Sequence, residues 1–250
     1  MSPRTALVTG ATSGIGRAIA LALGRRGHRV LALGRDAAAL AALGEELARA
    51  GVEAVPVLAD LARPGFEEAL GEPLASVDVL VHNASYFPPY AAAERTAAED
   101  LERMVAVGLT SALALVRGAL PGMKARGFGR FVAIGSITAT LGGQGQAAYA
   151  AVKAGLGGLV RVIAAEASRR GVTANLLELG LIDTERMRSV VTPEVRAQLL
   201  ARTPAGRFGT PEEVAAVVAF ICSEEAGYLT GATIPVAGGL GLGLLPPAGV

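Results

Sequence analysis

The sequence predicts an α/β protein built as a single doubly wound parallel sheet with helices on both faces. Three observations carry that expectation. Short β-branched or Leu-rich runs bounded by turn residues alternate with longer Ala/Leu-rich segments, as successive βαβ units require. The first such run, residues 5–9, leads straight into the glycine-rich stretch TGATSGIG. No internal repeat or charge run divides the 250 residues, a length that α/β folds often fill as one unit, so 1–250 is expected to be one domain.

In chain order the strands are expected at 5–9 (TALVT), 29–33 (RVLAL), 53–57 (EAVPV), 77–82 (VDVLVH), 130–134 (RFVAI), 172–177 (VTANLL) and 232–236 (ATIPV). Helices are expected between them at 15–26, 37–50, 64–70, 98–120, 147–170, 193–200 and 211–222. Several end at a glycine, as at Gly27, Gly51 and Gly171. The segment 185–209 mixes Thr-Pro pairs with charges and is the least regular, which suits a mobile substrate lid. The Gly/Pro-rich tail 238–250 is not expected to be helical.

Composition excludes several functions. With 23 Lys+Arg against 22 Asp+Glu there is no broad basic field to hold nucleic acid or an anionic membrane surface. The longest uninterrupted apolar stretch, Val214 to Cys222, is far shorter than the ~20 residues that span a bilayer, and no signal-like segment precedes Ala6; a cytoplasmic protein is expected. Cys222 is the only cysteine and sits in that apolar stretch, so a buried, inert thiol is expected. His28 and His82 have no metal-like companions, and no metal site is expected.

Small residues where a strand turns sharply into a helix let backbone N–H groups approach a pyrophosphate, and the helix dipole adds to the attraction. Gly10, Thr12, Ser13, Gly14, Ile15 and Gly16 are the candidate contacts. The second strand ends in Gly34-Arg35-Asp36. Asp36 is placed to cap the following helix, while Gly34 offers no carboxylate for a ribose 2′-OH; Arg35 therefore favours the 2′-phosphate of NADP, unless it is only a solvated cation.

Ser136 follows the strand 130–134, and Tyr149 and Lys153 stand four apart in YAAVK. That spacing puts both on one helix face, so the Lys ammonium, with the charge of an oxidised nicotinamide, is expected to lower the tyrosine pKa from ~10. A tyrosine so tuned can protonate a carbonyl oxygen to which Ser136 donates a hydrogen bond.

The glycine spacing of TGATSGIG, the serine, and YAAVK together resemble the short-chain dehydrogenase/reductase family over nearly the whole chain, from Ala6 to about Gly239. GRFGTPEEVA and YLTGATIPVAGG look most like its 3-oxoacyl carrier-protein reductase branch. The resemblance implies a single Rossmann domain, a catalytic group of Ser136, Tyr149 and Lys153, and frequently a homotetramer, which helices 98–120 and 147–170 would build if Gly155, Gly157 and Gly158 face a partner rather than their own sheet. It implies adenine contact at Asp60-Leu61, ribose contact at Asn83-Ala84, ribose binding by Tyr149 and Lys153, and nicotinamide contact through Ile182 and Thr184. Departures accompany the matches: Ser85 for Gly, Leu179 for Pro, Ala237 for Asp, and Gly108 where the family places a catalytic Asn hydrogen-bonded through water to the lysine. The space left at Gly108 is expected to admit water that continues a proton relay from Lys153.

The expected activity is hydride transfer between NADP(H) and a carbonyl or secondary alcohol. The alternative is a dinucleotide-binding sensor or assembly subunit of degraded activity. Tyr86, Phe87 and Tyr90, with 141–146 and the lid, are placed to form the substrate pocket or simply to pack their loop.

Overall fold

The computed structural model describes residues 3–242. Its strands are β1 (Thr5–Thr9), β2 (Arg29–Gly34), β3 (Ala54–Leu58), β4 (Val77–His82), β5 (Gly129–Ile134), β6 (Val172–Leu179) and β7 (Thr233–Val236). All seven pair in parallel in the order β3-β2-β1-β4-β5-β6-β7. The order reverses between β1 and β4, and in such sheets ligands bind at the carboxyl ends of the strands beside the reversal.

The near-continuous apolar character of β1, β4 and β5 follows from burial on both faces. On one face α1 (Gly14–Arg25), α2 (Ala37–Arg49) and α9 (Pro211–Ile221) bring Ile19, Leu23, Leu47 and Val218 onto Val8 and Val81. On the other, α4 (Ser111–Arg126) and α6 (Ala147–Ala167) bring Leu115, Met123, Leu156 and Val160 onto Leu7, Leu80 and Phe131. The runs 98–126 and 147–170 are long and apolar enough to cross a membrane by length and composition; here they wrap the sheet.

Some expected elements differ. The helix expected at 64–70 is a short 3₁₀ turn, Phe66–Ala69, bracketed by Gly65 and Gly71 at φ 76° and 52°, where an α-helix cannot continue. The helix expected at 98–120 is α3 (Ala98–Val105), a π-turn (Ala106–Thr110) and then α4, which runs on to Arg126. Two short helices were not anticipated, α5 (Thr138–Leu141) and α7 (Glu185–Val190).

The segment 185–209 is more regular than its composition suggests, since it holds α7 and α8 (Pro193–Ala201). Thr184 and Thr192 cap these helices by accepting from Met187 N (3.1 Å) and Val195 N (3.4 Å), and an Ile182–Gly209 bridge closes the segment's base. Of the tail expected to be non-helical, the residues up to Leu242 form turns; the remainder lies outside the described residues.

Candidate active site

At the β1–α1 junction Gly10 (φ 62°) and Gly14 (φ 50°) adopt left-handed conformations that favour glycine. A Cβ on Gly16 would lie 2.0 Å from the Gly10 carbonyl oxygen, so only glycine lets α1 start this close to the strand. The N-cap residue Ser13 makes no side-chain capping hydrogen bond. The first-turn N–H groups of α1 therefore lack that intrachain acceptor, an arrangement suited to an anion.

The turn is clamped from β4. Asn83 Nδ2 donates to the carbonyls of Thr9 (3.0 Å) and Gly10 (3.2 Å), and Thr9 Oγ1 accepts from the N–H groups of Asn83 and Ala84, both at 3.0 Å. The Asn83 amide thus holds the phosphate turn itself.

A cleft of about 610 Å³ opens over this turn. Gly10, Thr12, Ser13, Gly14 and Ile15 form one wall, Arg35, Asp60 and Leu61 a second, and Asn83, Ala84 and Thr184 lie beyond. Asp36 Oδ1 caps α2 by accepting from Ala39 N at 3.0 Å, which leaves the exposed Arg35 as the charge at the end of β2 free of that capping duty. The Thr184 methyl lies 3.3 Å from where a Gly14 Cβ would be, while Ile182 is buried behind the cleft at the bridge to Gly209. The glycine cradle, the uncapped helix start and a cation at the second strand fit a dinucleotide.

Past the cleft the structure brings Ser136, Tyr149 and Lys153 together. Ser136 leaves the carboxyl end of β5, its Oγ accepting from Thr138 N and donating to Thr138 Oγ1, both at 3.2 Å, and it also hydrogen-bonds Tyr149. Lys153, buried, donates from Nζ to the Ile134 carbonyl at 2.8 Å and stands 5.6 Å from the centre of the Tyr149 ring.

The tyrosine pKa was expected to be lowered by Lys153 together with an oxidised nicotinamide; the surroundings that the chain itself provides shift it the other way. Burial raises the Tyr149 phenol above its usual value of 10, outweighing the opposing Ser136 hydrogen bond, and burial lowers Lys153 to about 8.

The expectation of open space at Gly108 is also overturned. Gly108 is buried in the π-turn, and a Cβ there would meet Val152 Cγ1 at 2.4 Å, so the volume is already filled from α6. Its carbonyl faces His82 Nε2 at 3.1 Å.

Next to the Ser136, Tyr149 and Lys153 group, Phe87 stacks on Tyr149 with centroids 5.5 Å apart and planes 23° apart. Arg186 lies over Phe87 at 4.1 Å and Arg103 over Tyr86 at 4.9 Å. Tyr86 donates to Asp100 Oδ1 (2.7 Å), and Tyr90 OH accepts from Gln146 Nε2 (3.0 Å).

Reading the sequence missed Thr9, His82, Val152 and the two arginines. A buried-strand pattern ending in Thr and in His was the only local signal for the first two. Cys222 is buried, its thiol pushed up to about 12, and the described residues contain no cluster of metal-ligating side chains.

A parallel sheet that ends in a glycine cradle beside a Ser, Tyr and Lys defines the class of dinucleotide-dependent oxidoreductases. A family model described as enoyl-(acyl carrier protein) reductase matches residues 10–241. The 3-oxoacyl-(acyl-carrier-protein) reductase of Pseudomonas aeruginosa is 38% identical over 246 residues, covering 95% of this chain and 97% of its own. That of Mycobacterium tuberculosis H37Rv is 40% identical over 240 residues, covering 96% and 94%. Among solved structures, a Beutenbergia cavernae protein provisionally named NAD(P)-dependent gluconate 5-dehydrogenase, with NADP bound at low occupancy, superposes with a TM-score of 0.89 at 39% identity, covering 96% of this chain and 97% of that one. The chain belongs to the short-chain dehydrogenase/reductase family and is an oxidoreductase of that family.

Proposed function

We propose that the protein is an NADP(H)-dependent reductase or dehydrogenase acting on a carbonyl or the corresponding secondary alcohol, through Ser136, Tyr149 and Lys153 without the family's Asn. The observation that carries this reading is the convergence of Ser136, Tyr149 and the buried Lys153, with Tyr149 stacked on Phe87 of the cleft that opens over the glycine cradle. When bound, nicotinamide supplies the hydride, which no side chain can.

The chain supplies the proton. Tyr149, held largely as the neutral phenol by burial, is poised to give its proton to a carbonyl oxygen, and Ser136 donates to the same oxygen as charge develops. The Lys153 ammonium, close to the ring, then favours the phenolate left behind. Arg35 would pair with the 2′-phosphate, and NADP in the Beutenbergia relative supports that choice.

Arg103 and Arg186 give the substrate end two cations, which favours substrates bearing a carboxylate; the gluconate in the relative's name is such a molecule. The whole chain acts in this reading as one domain with 185–209 as its lid, assembled as a homotetramer.

The test is NADPH consumption with β-keto acids, their neutral esters and simple ketones, for the natural protein and Tyr149→Phe. The expected outcome is turnover by the natural protein and a loss of roughly 10²–10⁴ in rate for Tyr149→Phe, with NADPH affinity nearly unchanged. NADPH binding without turnover on any substrate would favour the sensor or assembly reading.

A further inference from the structure

His82 is a buried ionisable group that the chemistry above does not use. It closes β4 directly before Asn83, in register with Ala133 of β5, one residue from the Ile134 carbonyl that accepts from Lys153. Its ring spans two parts of the site. Nε2 lies 3.1 Å from the Gly108 carbonyl oxygen, and Nδ1 lies 3.5 Å from Thr9 Oγ1, the hydroxyl that receives the Asn83 and Ala84 N–H groups.

These neighbours determine the tautomer. A carbonyl oxygen cannot donate, so Nε2 must carry the hydrogen it gives to Gly108. Nδ1 is then an acceptor, facing a Thr9 hydroxyl whose own hydrogen has, among the described residues, Val81 O and Nδ1 within reach, each at 3.5 Å. A second proton on the ring would turn Nδ1 into a donor and set a cation near the Lys153 ammonium. Burial and that ammonium hold His82 neutral, with a pKa of about 3.

The Gly108 carbonyl belongs to the π-turn, where the i→i−4 ladder is interrupted and carbonyls need other partners. The same turn presents its bare Cα to Val152, the residue before Lys153. A shift of Gly108 is thus a shift of the surface on which the lysine-bearing turn of α6 rests.

We propose that His82 is a positioning residue of the catalytic group, its Nε2–H holding the Gly108 carbonyl so that the π-turn and Val152 keep Lys153 in register with Tyr149. The inference rests on the catalytic roles proposed for Tyr149 and Lys153.

The test compares three substitutions. In His82→Gln the amide nitrogen reaches the place of Nε2; in His82→Asn only the Nδ1 side keeps a polar group; in His82→Phe neither does. Turnover is measured well below each variant's melting temperature and normalised to NADPH-binding sites. The Asn and Phe variants are expected to lose about tenfold or more in kcat, the scale of one hydrogen bond, with a smaller loss of NADPH affinity, and Gln recovers most of the rate. Natural kcat in His82→Phe, or an equal loss in Gln and Phe, overturns the proposal.

A second measurement does not depend on turnover. With ¹⁵N-histidine labelling and His28→Gln for assignment, His82 is expected as the neutral Nε2–H tautomer at pH 7; an Nδ1–H tautomer or an imidazolium overturns the proposal. If the natural protein reduces no substrate, the oxidoreductase reading fails, yet the tautomer still reports whether the bridge to Gly108 exists.

Discussion

Arg35 follows β2 directly, beside Asp36, whose Oδ1 accepts from the Ala39 N–H of α2. A guanidinium can meet a 2′-phosphate bidentately, and a charge-assisted contact of about 1.5–3 kcal/mol corresponds to roughly 10–100-fold in affinity. Arg35→Ala should therefore lower the NADPH-to-NADH ratio of kcat/KM by about that factor, and steady-state kinetics with both cofactors checks it; an unchanged ratio assigns Arg35 to the solvated surface. His82 gives a second residue-level expectation. Its folded pKa of about 3 lies below the unfolded value of 6.5, so the unfolded chain takes up the proton first. The stability it contributes is complete above about 6.5 and is lost as pH falls towards about 3. The charged group facing the ring is Lys153 from α6, which stays protonated throughout that range; Thr9 from β1 and the Gly108 carbonyl are neutral. In urea unfolding followed from pH 7 to 4, the natural protein should therefore lose stability more steeply than His82→Gln, the other titrating groups being common to both. Parallel curves would mean that the imidazole is not held neutral.

At the scale of elements, the break between α3 and α4 carries the most information. Gly108 is not at positive φ, so backbone strain does not select it; the Val152 methyl 2.4 Å from its absent Cβ does. Val152 is β-branched on a helix, where such side chains have one strongly preferred rotamer, so it cannot readily swing aside. Asparagine at 108 gains about 1 kcal/mol or less in helix propensity but overpacks this contact, which costs typically ~1–3 kcal/mol. Gly108→Asn should thus lower stability by roughly 1–2 kcal/mol without raising kcat, and adding Val152→Ala should recover most of the loss; denaturant midpoints of both variants check this. The same contact explains what could be read in advance. Strands were legible to within about two residues because buried parallel strands leave nearly continuous apolar runs, and the cradle because Gly10, Gly14 and Gly16 each answer a local steric demand. What fills the space beside Gly108 was not legible, because Val152 lies on α6, some forty residues away. Nor was the direction of the Tyr149 shift, since helical spacing brings a lysine near without saying how deeply the phenol is buried.

The whole molecule leaves apolar surface on the face formed by α3, α4 and α6. Leu101, Val105, Leu113 and Val162 are 42%, 37%, 48% and 53% exposed, although α4 and α6 bury their other sides on the sheet and α3 buries Met104 against α6. The three glycines expected to face a partner divide. A Cβ on Gly155 would meet Leu109 of the same chain at 3.0 Å, and one on Gly157 would sit 3.8 Å from Leu176, whereas Gly158 borders open space. Gly157 is buried, whereas Gly155 is exposed and Gly158 half-buried, so those two are available for close approach of a second helix. A homotetramer built on this face would cover the exposed leucines and valines, each fully buried side chain contributing about 1.5–3 kcal/mol before the costs of association. The double variant Leu113→Glu/Val162→Glu would place two charges on each copy in the same apolar patch, where burial without partners is costly. Light scattering at micromolar concentration should give four chains per particle for the natural protein and a smaller species for the variant, with far-ultraviolet circular dichroism unchanged because both positions are solvent-facing in the single chain. A natural monomer would refute the assembly outright; a variant that remains tetrameric would move the interface off α4 and α6, and the exposed side chains on those helices would then be ordinary surface.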